Sequence, residues 1–177
     1  PAGRGVRQDF FGNELEVLYV KGSGWDLKTI EKPGFPAIKL KETRMLANLE
    51  TLSDTDMTKQ LRALMLDPTA PSPSVEAILH AILPATFIDH THTDAVVTLS
   101  NNPQGEAILS KLYPDCMILP YVMPGFILSK QVNDAIKQND PGTVSSTHRT
   151  LPTIYSVHIT VAAIHLKPKH TSDNSRK

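Results

Sequence analysis

Between residues 15 and 138, short β-type runs alternate with stretches whose apolar residues recur at helical spacing. A chain ordered in this way must lay helices on a sheet, so an α/β layered domain is the fold class that the pattern dictates. Leu15 to Val20 reads as a strand running into the tight segment Lys21-Gly22-Ser23-Gly24-Trp25-Asp26, and Phe35 to Leu40 forms a second extended piece after the Pro33-Gly34 turn. Lys41 to Leu49 places Met45, Leu46 and Leu49 at helical spacing. Ser53 and Asp56 have the form of a capping box, opening a helix with the stripe Met57, Leu61, Leu64 and Met65. Three prolines force a loop over Asp67 to Ser74, and a helix over Val75 to Leu83 is stopped by Pro84. Phe87 to His92 reads as a buried strand, and Thr93 or Asp94 caps a helix over Ala95 to Leu99. Asn102-Pro103 opens a helix through Tyr113 with proline in its first position. Cys116 to Val122 reads as a strand broken or bent at Pro120, and Ile127 to Gln138 as an amphipathic helix after the Met123-Pro124-Gly125 turn. Residues 1–13 are rich in glycine and charge and have no clear period.

Composition excludes more than it identifies. Eighteen basic and eighteen acidic residues cancel, which argues against a nucleic-acid partner. No apolar run approaches the ~20 residues needed to span a bilayer, and Pro1 to Gly5 does not read as a signal peptide. The single cysteine, Cys116, excludes an internal disulfide and suits a reducing compartment, so the expectation is a soluble cytoplasmic domain. Within its apolar run that thiol is expected to be buried and inert.

Asp89-His90-Thr91-His92 is the sharpest chemical signal. Residues two apart on a strand face the same side, so both imidazoles can reach one ion. A catalytic zinc takes about three protein ligands and keeps one open position. An H-x-H alone is weak evidence, because histidine pairs also occur on half-buried strands without metal. Glu76 strengthens it: as the lone carboxylate of an otherwise apolar helix it must face something polar, although a first-turn glutamate at a helix N-terminus is also common. His80, one turn on, is open to three readings: a partner of the site, a ligand, or a satisfied core histidine. Lys21-Gly22-Ser23-Gly24 offers backbone N–H groups and a hydroxyl to an anion, or merely reverses the chain. Trp25 is expected to pack. There is no Ser-His-Asp order, no Walker-type loop and no dinucleotide fingerprint.

Taken in order, Lys21-Gly22-Ser23-Gly24-Trp25-Asp26-Leu27, Pro73-Ser74-Val75-Glu76 with His80, and Asp89-His90-Thr91-His92 resemble the class II aldolase/adducin family. Tyr121-Val122-Met123-Pro124-Gly125-Phe126 adds a closer likeness, to the aldolase half of bifunctional rhamnulose-phosphate aldolase/short-chain dehydrogenase proteins. The motifs run from about residue 10 to about residue 140. The resemblance implies a three-layer α/β/α domain around a largely antiparallel sheet, assembled as a homo-tetramer. It implies a divalent metal, generally zinc, and retro-aldol cleavage of a ketose 1-phosphate to dihydroxyacetone phosphate and an aldehyde. His90 and His92 become metal ligands and Glu76 the acid/base; Ser23, Gly24 and Ser74 become contacts to the sugar phosphate. A non-catalytic interaction domain like the adducin heads, or a truncated pseudoenzyme, is the alternative. With the dehydrogenase half absent from the sequence, no nicotinamide requirement is expected.

Two pieces implied by the resemblance have no counterpart. Pro1 to Asp9 contains no glycine/asparagine-rich phosphate loop, and no His-Gly follows the last amphipathic helix to supply a third histidine. The site is therefore expected to be incomplete. Past Asp140 the only acidic residue is Asp173, four of the seven histidines appear, and helical periodicity is lost. Residues 141–177 are expected to form an unmatched tail, out of register with the family or partly disordered, with one or two β-segments over Leu151 to Leu166.

Overall fold

A computed structural model describes residues 1–114, 116–120, 122–138 and 156–160; for Thr91 and for residues 156–160 it describes the backbone alone. The chain folds as β1 (Ala2–Gln8), β2 (Glu14–Val20), a 3-10 turn (Lys32–Gly34), β3 (Ala37–Lys39), α1 (Leu40–Leu46), α2 (Asp54–Ala63), α3 (Ala77–Ile82), β4 (Phe87–Thr91), α4 (Asp94–Ser100), α5 (Gly105–Leu112), α6 (Phe126–Gln138) and β5 (Ser156–Thr160). The strands form one sheet in the order β3-β2-β1-β4-β5. All its pairings are antiparallel except that of β4 with β5. The α/β class and the largely antiparallel sheet are as the resemblance implies.

Alternation along the strands decides which face is covered. Leu18 and Val20 of β2, Ala2 of β1, Ile38 of β3 and Ile88 of β4 are buried in one core with Leu40, Met57, Leu61, Ile78 and Phe126 from the helices. Helix α3 packs against α1 and α6, and α1 and α3 both lie on β2. Five consecutive α3 residues, Ala77 to Ala81, are buried, which is why this short helix reads as apolar all round. The expected cap forms in part: the Ser53 hydroxyl accepts from the Asp56 N–H at 3.1 Å and donates to the Asp56 carboxylate at 2.7 Å.

Several expectations are corrected. Residues 2–8, which show no period, form a full strand, β1, pairing with β2 from Ala2↔Val20 to Gln8↔Glu14. Arg4 anchors it by donating to the carbonyls of Pro84, at 2.9 Å, and Ala81. In α1 the buried side is Leu40, Thr43 and the capping Ala47, whereas Met45 and Leu49 are exposed, because the helix begins one residue early and ends at Leu46. Helix α5 starts at Gly105, because Asn102 closes a turn first by accepting from the Gln104 N–H at 2.9 Å. Residues 116–120 are not a strand: Cys116 turns back to the Tyr113 carbonyl and is exposed, and Pro120 offers no ladder donor. Phe87, expected to be buried, is 57% exposed. The predicted tail, 141–177, lies outside the described residues apart from β5, which falls within the expected β-segment.

Candidate metal and anion site

The site lies where three backbone pieces meet. Strand β4 delivers His90 and, one residue past its end, His92. The N-terminus of α3 delivers Glu76, with His80 one turn further on. The loop after β2 delivers Lys21 to Gly24. Two loops are stitched together beneath the cleft. Ser23 N–H donates to the Ser72 carbonyl at 2.8 Å, Ser74 N–H donates to the Lys21 carbonyl at 3.2 Å, and Gly22 and Pro73 form an isolated antiparallel bridge. A side chain on Gly22 would begin 2.9 Å from Pro71 Cβ and 3.1 Å from the Gly34 carbonyl, so only glycine fits this crossing. Gly24 takes φ +84°, the left-handed turn that bends the loop back over the cleft.

The cleft has a volume of about 350 Å³, and its walls include Lys21, Ser23, Gly24, Ser74, Glu76, His80, His90 and His92. All six residues singled out from the sequence (Ser23, Gly24, Ser74, Glu76, His90 and His92) thus share one cavity. Ligand atoms of Glu76, His90 and His92 lie within 4.8 Å of one another, close enough to bind one ion. Glu76 Oε2 stands 3.5 Å from His90 Nδ1, and the His90 and His92 rings stack with centroids 5.0 Å apart. The Ser74 hydroxyl accepts from the Glu76 N–H at 3.2 Å, which seats the carboxylate's backbone.

Burial sets the charge states. Desolvation raises the Glu76 pKa, with His92 opposing it, so the carboxyl keeps its proton to higher pH than an exposed glutamate. Desolvation, reinforced by His92, pushes His90 down to about 4. Desolvation, reinforced by His90, pushes His80 down to about 3. Both imidazoles are therefore neutral near pH 7, the form that ligates a metal. His90 Nε2 is buried and has no hydrogen-bond partner among the described residues. An unpaired buried nitrogen is costly unless something coordinates it, so the donor set fits a divalent cation.

Residues 5–150 match the family described as Class II Aldolase and Adducin N-terminal domain. The chain belongs to that family. The match extends beyond the motif-bearing stretch at both ends. A relative from Bacillus subtilis (strain 168), "Uncharacterized oxidoreductase YuxG", is 39% identical over 135 residues, or 76% of this chain and 20% of the relative. The chain thus spans about a fifth of that relative's length. The solved N-terminal class II aldolase domain of a conserved protein from Thermoplasma acidophilum superposes with a TM-score of 0.70 at 32% identity, covering 80% of this chain and 65% of that one.

In this class II aldolase/adducin domain, two wall residues escaped the sequence-based assignment of roles. Lys21 lies in the loop already flagged for anions, and its ammonium donates to the Gly22 carbonyl at 3.3 Å. His80 is 3% exposed and meets His90 Nδ1 through Nε2 at 3.2 Å. The i,i+4 spacing from Glu76 was its visible signal, but only the packing of α3 against the end of β4 turns that spacing into a contact.

Proposed function

We propose that this chain is a metal-dependent class II aldolase-type domain that cleaves a ketose 1-phosphate to dihydroxyacetone phosphate and an aldehyde. The observation that carries the reading is the convergence of Glu76, His90 and His92 in one cleft with the Lys21–Gly24 loop. An ion bound to His90 and His92, with Glu76 beside it and zinc the expectation, would polarise the substrate carbonyl and offset the charge that builds on its oxygen. Ser23, Gly24 and Ser74 bind the phosphate, with two hydroxyls and the Gly24 N–H as donors. In the net reaction the hydroxyl proton of the aldehyde-forming carbon leaves, the adjacent C–C bond breaks, and a proton arrives at the other carbon. Glu76, with its raised pKa, holds the proton destined for that carbon. The buried residues that follow it, Ala77, Ile78 and Leu79, leave the Glu76 side chain only 18% exposed.

A homo-tetramer and a cytoplasmic location belong to the same proposal. No helix among the described residues is long and apolar enough to cross a membrane. The similarity to a relative named an oxidoreductase, of which this chain spans a fifth, supports a kinship with the aldolase half of the bifunctional proteins. The second reading, a non-catalytic module like the adducin heads, is favoured by one observation. Among the described residues no further histidine joins the three-residue ion cluster, since the Nε2 of His80 is directed at His90.

Metal analysis after gel filtration separates the two. The enzyme reading expects about one zinc per chain, its loss in His90→Ala, and release of dihydroxyacetone phosphate from a ketose 1-phosphate in a coupled assay. Absence of both metal and cleavage in the intact chain would favour the interaction module.

A further inference from the structure

We propose that this chain assembles head to tail with copies of itself: the Phe10–Phe11 tip of the β1–β2 hairpin on one copy seats in the groove along Ile30 to Phe35 of the next. The inference deepens the homo-tetramer part of the functional reading and rests on that part for the number of copies alone.

The tip is a preformed apolar knob. Phe10 and Phe11 are 97% and 85% exposed, and their rings meet edge-on with centroids 5.9 Å apart. The turn that carries them is held by the Asp9 carboxylate. It accepts from the N–H groups of Phe11 and Asn13, both at 2.8 Å, and from Asn13 Nδ2 at 2.9 Å. Two phenyl rings fixed side by side in water form a patch that a monomer has no use for. Because the turn is already ordered, a partner that covers it is spared part of the entropic cost of binding.

The groove complements the tip in both polarity and charge. Ile30, Pro33 and Phe35, with Glu31 and Lys32, line an open groove of about 770 Å³. Its floor is close-packed: a Cβ on Gly34 would begin 2.6 Å from Ile30 Cγ1 and 3.0 Å from Trp25 Cδ2. Gln8 to Glu14 carries two acids and no base, whereas Lys28 to Phe35 carries two lysines and one acid. Arg7, beside the tip, is turned onto the hydroxyl and ring of Tyr19. An acidic knob therefore faces a basic rim.

A copy cannot fill its own groove. The tip joins β2 at Glu14, and the groove is tied to the other end of that strand, where Gly22 N–H donates to the Gly34 carbonyl at 2.7 Å. The length of β2, at ~3.3 Å per residue, holds them roughly 20 Å apart. Knob and groove are different patches, so their contact is heterologous and either closes into a ring or runs on as a filament. Each phenyl ring buries ~150–250 Å². With a matching area on the groove, one contact covers roughly 600–1,000 Å², at or below what a stable interface needs. A closed ring, in which every copy is held twice, supplies the rest.

Sedimentation velocity on the full chain tests this. The native chain is expected to form a closed oligomer. Phe10→Ser with Phe11→Ser, at two exposed positions, should weaken self-association by about 30-fold or more, as loss of a hot spot does. Pro33→Glu should do the same from the groove side, and Lys32→Glu serves if Pro33→Glu does not fold. The tip and groove variants, each monomeric alone, should form a one-to-one heterodimer when mixed at high concentration, through the one tip and one groove left intact. The proposal is overturned by a monomeric native chain, by either variant assembling like the native chain, or by a mixture no heavier than its parts. A groove variant that still pairs shows tip-to-tip contact and overturns it too. Zinc content and ketose 1-phosphate cleavage are read alongside: a monomer that holds zinc refutes the contact and leaves the enzyme reading standing, while a ring without zinc or cleavage does the reverse.

Discussion

At the scale of single residues, the site couples acid/base chemistry to burial, and this makes it pH-sensitive. His80 and His90 have folded pKa values near 3 and 4, below the ordinary 6.5, so the unfolded chain binds more protons in between. Stability is therefore full above about pH 6.5 and falls as pH drops toward 4, and urea denaturation across that range should show the midpoint declining. Glu76 acts in the opposite sense: its raised pKa favours the folded state while protonated, and that contribution fades as pH rises through its folded value. Replacing it by Gln should lower kcat by about 10²–10⁴-fold in the retro-aldol assay if it holds the transferred proton, with the far-ultraviolet spectrum unchanged. The pair His90 and His92 was legible in the sequence because a spacing of two in extended backbone puts both rings on one side, and this holds although His92 lies just past the end of β4. The His80–His90 contact was not, since it depends on how α3 is rolled against β4.

At the scale of elements, the helices announced themselves and the weakest strand did not. Ser53 and Asp56 marked the start of α2 correctly, and Ser53→Ala should cost about 1 kcal/mol in chemical denaturation. Strand β1 was hidden because Gly3, Gly5 and its charges erase the alternation by which half-buried strands are recognised. Its stability comes from elsewhere: seven residue pairs with β2, and an arginine fastened to two carbonyls at the end of α3. Residues 116–120 fail in the reverse sense. Their apolar composition suggested a strand, but apolarity without ladder partners is insufficient, and Cys116 ends in a turn.

At the scale of the whole molecule, the order of short elements fixed the α/β class, whereas the strand order β3-β2-β1-β4-β5 needed coordinates, because β4 returns to pair with β1 only after α1, α2 and α3. If the ion binds only the folded chain, zinc at about 100 times its Kd should stabilise the fold by about 2.7 kcal/mol. Calorimetry should then show a rise in Tm of several degrees on adding zinc, absent in His90→Ala. The stitching of residues 21–24 to residues 72–74 also limits how such a protein can change. An inserted or deleted residue in either turn would be inherited by the other, and by the carboxylate two positions further on. A lineage that altered its grip on one end of the substrate would thereby displace its proton donor at the other. New specificities should arise at wall residues outside these two turns, such as Leu27.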